Sequence, residues 1–230
     1  MADRQSGSNR DYQMLFGLWI LGLVLSGFRP TDRLTWLLEI FPVVVAIPVL
    51  YSTRESFPLP RYILVFVFIH GIVLMIGGHY TYAGAPPGRW LAELFGLQRN
   101  PYDRIGHLFQ GFVPALIAAE ILQRKVGLKS AGWIFFLSVA VCMAISMVYE
   151  FIEWWTALIL GQNADAFLGT QGDPWDTQWD MFSATAGAVL GQAFYWTRQW
   201  RARSKSSIEP TIRAGVGHDQ LRRNDERPVS

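Results

Sequence analysis

Three short segments gather most of the residues in this chain that could do chemistry. They are Tyr102-Asp103-Arg104-Ile105-Gly106-His107, Glu150-Phe151-Ile152-Glu153, and Asp173-Pro174-Trp175-Asp176-Thr177-Gln178-Trp179-Asp180. Asp103 and His107 are four apart, Glu150 and Glu153 three apart, and Asp176 and Asp180 four apart, so each pair shares one face of a helix. Carboxylates with an imidazole suit a divalent cation. Oxygen-rich sets favour Mg²⁺, Ca²⁺ or Mn²⁺, and an imidazole shifts the preference toward Mn²⁺, Fe²⁺ or Zn²⁺. Several carboxylates held close together cannot all ionise cheaply. They must share protons, meet Arg104 or bind a cation. The candidate metal ligands are His107, Glu150, Asp176 and Asp180. The candidate catalytic residues are Glu150, Glu153 and Asp103, with Asp103 orienting His107 and Glu153 as general base. A metal there would polarise a phosphoryl or carbonyl oxygen, or activate water.

The elements that carry these residues are apolar. Hydrophobic residues make up 51% of the 230 residues, only 17% are charged, and the mean hydropathy is +0.20. A soluble domain would carry nearer a quarter charged residues. Runs over Tyr12–Phe28, Leu34–Tyr51, Tyr62–Tyr82, Ile105–Gln123, Trp133–Trp154 and Asp180–Trp196 approach the roughly 17 to 25 residues of a membrane-crossing helix. The expected fold class is all-α: a multi-pass integral membrane bundle of about six transmembrane helices, forming a single domain over residues 1–200. Residues 201–230 are polar, basic and without periodicity, which predicts a disordered cytoplasmic tail.

Charge sets the direction. Fifteen Lys and Arg fall before span one, between spans two and three, between four and five, and after six; five fall on the other side. Basic residues concentrate on the cytoplasmic side, so both termini are expected there. Alternation then carries all three acidic segments to the external face. Arg4 and Arg10 precede the first span, but no A-x-A-like cleavage site follows it, so a retained span is expected rather than a signal peptide.

Each candidate also has a purely structural reading. Asp173-Pro174 with Asp176 reads as the cap and first turn of span six, which leaves Asp180 unexplained. Asp103 either caps span four or belongs to the site. Glu150 lies inside an apolar run and either pairs with Arg104 or binds a cation. His107 is either a hydrogen-bonded interior histidine or a ligand, and His79 could join the cluster. Trp154, Trp155, Trp175 and Trp179 fit an interfacial aromatic belt. Residues 90–95 read as a short interfacial helix, and the polar, glycine-containing stretch Gly161–Gly172 as a lid over the external end. Pro42 and Pro48 should kink or shorten span two. Gly111 and Ala115, with Gly187 and Gly191, are small residues at i, i+4 and predict close helix approach. The single cysteine, Cys142, reads as a small buried hydrophobe. No nucleophile elbow, Walker A, dinucleotide-binding, H-E-x-x-H or zinc-type cysteine pattern occurs. Nothing beyond the basic tail supports binding to nucleic acid.

Asp103 to Phe112, Tyr149 to Trp155, and the run Ala164 to Asp173 continuing through Trp175-Asp176-Thr177-Gln178-Trp179-Asp180-Met181 resemble the YjdF family of bacterial inner-membrane proteins, over roughly residues 12–200. That resemblance implies a multi-pass inner-membrane protein. Asp103-Arg104…His107, Glu150 or Glu153, and Asp180…Gly187 are more distantly similar to VanZ-like membrane proteins, with Leu108 in place of their usual Phe. The VanZ likeness implies only a connection with the cell envelope. The expected partners are membrane lipids and a lipid-linked small-molecule substrate. Metal-dependent chemistry is the first functional expectation; cation or proton transport and a purely structural network are the alternatives.

Overall fold

The structure is a computed structural model that describes residues 6–161 and 165–225. The described residues contain no strand and form eight helical segments. Helix α1 (Asn9–Gly27) starts from a capping box in which Ser8 and Asp11 satisfy each other's backbone N–H groups. Asp32 caps α2 (Arg33–Thr53) through the N–H of Thr35 at 2.6 Å. Next come α3 (Arg61–Tyr80), the short α4 (Pro86–Phe95), α5 (Tyr102–Arg124), α6 (Ala131–Leu160), the single turn α7 (Asp165–Leu168) and α8 (Asp176–Asp225).

The six predicted spans fall on α1, α2, α3, α5, α6 and the first part of α8. Four of these helices, α2, α3, α5 and α6, are long and apolar enough to cross a membrane by length and composition. Helix α1 and the start of α8 fall short of that measure because charged residues open both. Pro42 and Pro48 do not end α2, which continues to Thr53. Helix α6 runs six residues beyond its predicted end at Trp154, because Trp155-Thr156-Ala157-Leu158-Ile159-Leu160 keeps the span's apolar, helix-compatible character. Its 30 residues extend about 45 Å. Helix α4 covers the predicted short helix, with Pro at its start and Gly96 in the left-handed conformation at its end. Part of the predicted lid, residues 162–164, lies outside the described residues. Helix α8 is continuous through the polar stretch beyond residue 200.

The chain divides into two compact units, Gln5–Gln192 and Ala193–Ser230 with the first four residues. In the larger unit α3 packs against α1, α2 and α5, and α5 packs along α6. One face of α6 is buried at a strict spacing of four: Ile134, Ser138, Cys142, Ser146 and Glu150. The rest of α6 presents apolar side chains such as Val141, Ile145 and Val148 outward, as a lipid-facing helix should. Helices α5 and α8 meet backbone to backbone. A Cβ on Gly111 would lie 1.8 Å from the Ala184 carbonyl oxygen, and one on Gly187 would lie 2.0 Å from that of Leu108. Within the smaller unit, α8 keeps its local bonds, with Thr197 Oγ1 donating to Ala193 O at 2.8 Å.

Candidate functional site

Asp103 and His107 stand in the first two turns of α5, Glu150 and Glu153 in the last third of α6, and Asp176 and Asp180 at the start of α8. The alternating helix directions bring the three pairs to one end of the bundle. Asp103, His107, Glu150, Asp176 and Asp180 are all buried, none more than 6% exposed. Donor atoms of Asp103, His107 and Asp180 lie within 4.8 Å of one another, and so do those of His107, Glu150 and Glu153. His107 belongs to both groups and is the hub.

The imidazole is oriented from both sides. Its Nδ1 lies 2.9 Å from Gln110 Oε1, an oxygen that can only accept, so Nδ1 carries the hydrogen. In the neutral ring Nε2 is then a lone pair, and it faces Asp103 Oδ1 at 3.6 Å. Two acceptors turned toward each other need a proton or a cation between them. Glu150 Oε1 approaches Nδ1 at 4.0 Å. Asp103 Oδ2, Glu150 Oε1 and Asp180 Oδ1 are buried with no hydrogen-bond partner among the described residues. Such groups cost free energy unless something else satisfies them. Donors bound to one ion at about 2.2 Å can be at most ~4.4 Å apart, so a few tenths of an ångström of closure would bring either group of three around an ion.

Arginine arranges the remaining acids. Arg99, just before α5, reaches Asp176 Oδ1 at 2.6 Å, Asp173 Oδ2 at 3.2 Å and Asp103 Oδ2 at 3.6 Å. Arg104 reaches Asp173 Oδ2 at 2.7 Å and lies 5.0 Å from the Trp179 ring centre. Arg104 thus meets Asp173 rather than Glu150. Asp176, a candidate ligand by spacing, is held by Arg99 and stands outside both donor groups. Asp173 also takes its predicted capping role, accepting from the N–H of Trp175 at 2.9 Å. That bond, followed by the charges of Arg104 and Arg99, holds the Asp173 carboxyl below the usual aspartate range. His79 stays apart, with Nδ1 donating to Ser26 O at 2.8 Å.

Residues 165–172 fold over the cluster. Phe167 is buried beside Tyr149, with ring centres 6.5 Å apart. Gln171 and Asn100 exchange hydrogen bonds, Asn100 N to Gln171 Oε1 at 2.9 Å and Gln171 Nε2 to Asn100 O at 3.0 Å. Gly169 has φ +63° and passes close to Asp103; a Cβ there would lie 3.7 Å from Oδ2. A second polar pair borders the site: Tyr149 OH donates to Glu39 Oε2 at 3.1 Å, and the Tyr149 ring lies edge-on to His107 at 6.0 Å. Spacing gave no sign of Arg99 or of the Glu39–Tyr149 pair. A buried Glu39 inside an apolar span is the one signal that could have found the latter.

Helices that pass repeatedly through an apolar layer, with acids gathered at one end, define a multi-pass helical membrane protein. The chain belongs to the family described as "Predicted membrane protein (DUF2238)", which matches residues 12–201. It is 50% identical over 172 residues to the inner membrane protein YjdF of Escherichia coli (strain K12), covering 75% of this chain and 82% of that protein. No solved structure matches the chain.

Proposed function

We propose that Asp103, His107, Glu150 and Asp180 bind a divalent cation, and that the chain carries out metal-dependent chemistry on a lipid-linked or envelope substrate. The observation that carries this reading is the set of three buried carboxylate oxygens without a hydrogen bond around an imidazole whose Nε2 lone pair faces a carboxylate. When bound, a cation supplies Lewis-acid polarisation of a phosphoryl or carbonyl oxygen. Gln110 fixes the tautomer of His107 and so leaves the Nε2 lone pair facing the Asp103 carboxylate, ready for a cation between them. Glu153, half-buried at the rim beside Glu150, is placed to take a proton from a nucleophile. Arg99 holds the start of α8 against α5 through Asp176 and so sets the reach of Asp180.

The inner-membrane relative supports a location of this chain in the bacterial inner membrane. The Lys and Arg bias supports cytoplasmic termini and a site at the external end. The three-aspartate grip of Arg99 favours one competing reading, a charge network that fixes helix register without chemistry.

Metal content of the detergent-purified protein separates the two. One bound ion in the wild type, lost in Glu150→Gln and Asp180→Asn with helicity intact, supports the metal site. Retention of that ion in Glu153→Gln supports the base assignment. A folded wild type that takes up no Mn²⁺, Zn²⁺ or Mg²⁺ overturns the metal reading and leaves the network.

A further inference from the structure

Toward the opposite end of the bundle lies a groove of about 320 Å³. Helices α2 and α5 form its sides and α3 its back, with Trp19 of α1 behind. Both α2 and α5 pack on α3 but hardly on each other, which leaves the space between them. Val43, Ala46, Leu50, Leu74, Val113 and Ile117 make the wall apolar. Along α2 the groove runs from Pro42 to Thr53, about 16 Å at 1.5 Å per residue. That length equals roughly half of a 30 Å hydrocarbon core, the depth of one leaflet.

The mouth at the Thr53 end is basic. Phe57 lines it, with Arg124 Cζ 4.1 Å and Lys125 Nζ 5.6 Å from the ring centre. Arg124 is tied to Pro58 O at 2.8 Å and to Glu120 at 3.3 Å, so the guanidinium is fixed in place. Arg54 stacks on Tyr51 nearby, 4.0 Å from its ring centre. Among the described residues Lys125 has no carboxylate partner. An apolar slot one leaflet deep, open at a cationic rim, complements one kind of molecule.

We propose that this groove binds an anionic phospholipid, with one acyl chain between α2 and α5 and the phosphate on Lys125 and Arg124. The site stands apart from the acidic cluster and does not depend on a metal there. Basic pockets between membrane helices recognise anionic headgroups by charge, and charge-assisted hydrogen bonds to phosphate add direction. The chain fills space that would otherwise leave the Val43, Leu50 and Val113 side chains without packing partners.

Native mass spectrometry of the delipidated full-length protein, with phosphatidylglycerol or phosphatidylcholine of identical chains, tests the site. One phosphatidylglycerol retained in preference to phosphatidylcholine is the expected result. Lys125→Gln should weaken phosphatidylglycerol roughly five-fold, the worth of one basic residue near a headgroup, and leave phosphatidylcholine unchanged. Ala46→Phe fills the groove and should abolish retention of both lipids; Ile117→Phe does the same from the α5 wall if the first variant fails to fold. Val45→Phe, on the exposed face of the same helix, should behave as wild type. Equal retention of the two lipids, or lipid retained in a folded groove-filling variant, would overturn the proposal. So would recovery of a neutral isoprenoid lipid lost on changing His70, whose buried Nε2 in the groove wall lacks a hydrogen-bond partner.

Discussion

Gly187→Ala tests whether the α5–α8 contact sets the geometry of the acidic cluster. The added Cβ would stand 2.0 Å from Leu108 O, where ordinary contact begins near 3.4 Å, so the two backbones must separate by about 1.4 Å. Neither partner is a flexible side-chain tip that could turn aside. Overpacking of this kind costs about 1–3 kcal/mol, and the gain from replacing a helical glycine offsets up to ~1 kcal/mol of it. With Leu108 backbone atoms at 2.0, 2.9 and 3.1 Å the upper half of that range applies, so the net loss of about 1–2 kcal/mol should lower Tm by roughly 2–8 °C for a chain of this size. The same shift moves Asp180 away from Asp103 and His107, beyond the ~4.4 Å that two ligands of one ion can span. Metal retention should therefore fall together with stability. Gly17→Ala is the control, because nothing lies within 4 Å of a Cβ built there. Thermal unfolding in detergent and metal content of the same samples give both readouts. A Gly187→Ala protein as stable as Gly17→Ala, and equally loaded, would refute the backbone contact and the reasoning built on it.

Arg99→Gln strands the buried carboxylates of Asp103 and Asp176, while Asp173 keeps Arg104 and the Trp175 N–H, and should cost about 3–5 kcal/mol in thermal unfolding. Arg99→Lys should recover only part of that, since an ammonium cannot fork between aspartates; full recovery would show that a point charge suffices. Tyr149→Phe leaves Glu39 Oε2 without its donor and should cost about 1–3 kcal/mol. In a cycle with Glu39→Met, which removes the acceptor, the two changes should couple by more than ~0.5 kcal/mol, and additive effects would deny the bond. The folded-state pKa of Asp173 is depressed, so its contribution is complete above the ordinary value of 3.8 and is lost as pH falls through the lower folded value. Unfolding scans from pH 5 downward should accordingly show a shallower acid decline in Asp173→Asn than in wild type. Parallel declines would mean the Trp175 and arginine contacts add nothing.

The spans could be read because an apolar run of fixed length is a local property of the sequence. The same runs return α5, α6 and α8 to one end, but they do not bring the three pairs together, since six helices with the same directions can be arranged in several ways. Which acid meets which cation could not be read this way. Arg99 reaches Asp173 and Asp176 across more than seventy residues, and its choice depends on how far the turn before α5 leans toward α8. Spacing therefore grouped Asp176 with the ligands, whereas the fold gives it to Arg99, and it offered Arg104 to Glu150 where Asp173 is nearer. Glu39 and Tyr149 meet only because the fold brings these points of α2 and α6 within hydrogen-bond reach, a relation that six apolar stretches do not specify.

The packing just inside the cluster bears on transport as against chemistry at one face. One turn below His107, Gly111 lies against the Ala184 carbonyl, and Cys142 Sγ donates to Gly111 O at 3.3 Å. Ala115, Cys142 and Ala188 form a fully buried cluster there, and Gln192 Nε2 donates to Ala115 O at 2.8 Å. The hydroxyls of Ser146 and Ser138 continue down the same face of α6, so polar atoms are present along the seam. Room between them is not. With backbones in contact at Gly111 and Gly187, a hydrated route between α5 and α8 would have to force those helices apart, at the cost set out for Gly187→Ala. The α5–α8 seam is therefore closed below the acidic cluster. That closure, with residues 165–172 over the acids, favours the proposed chemistry at one face over passage along this seam.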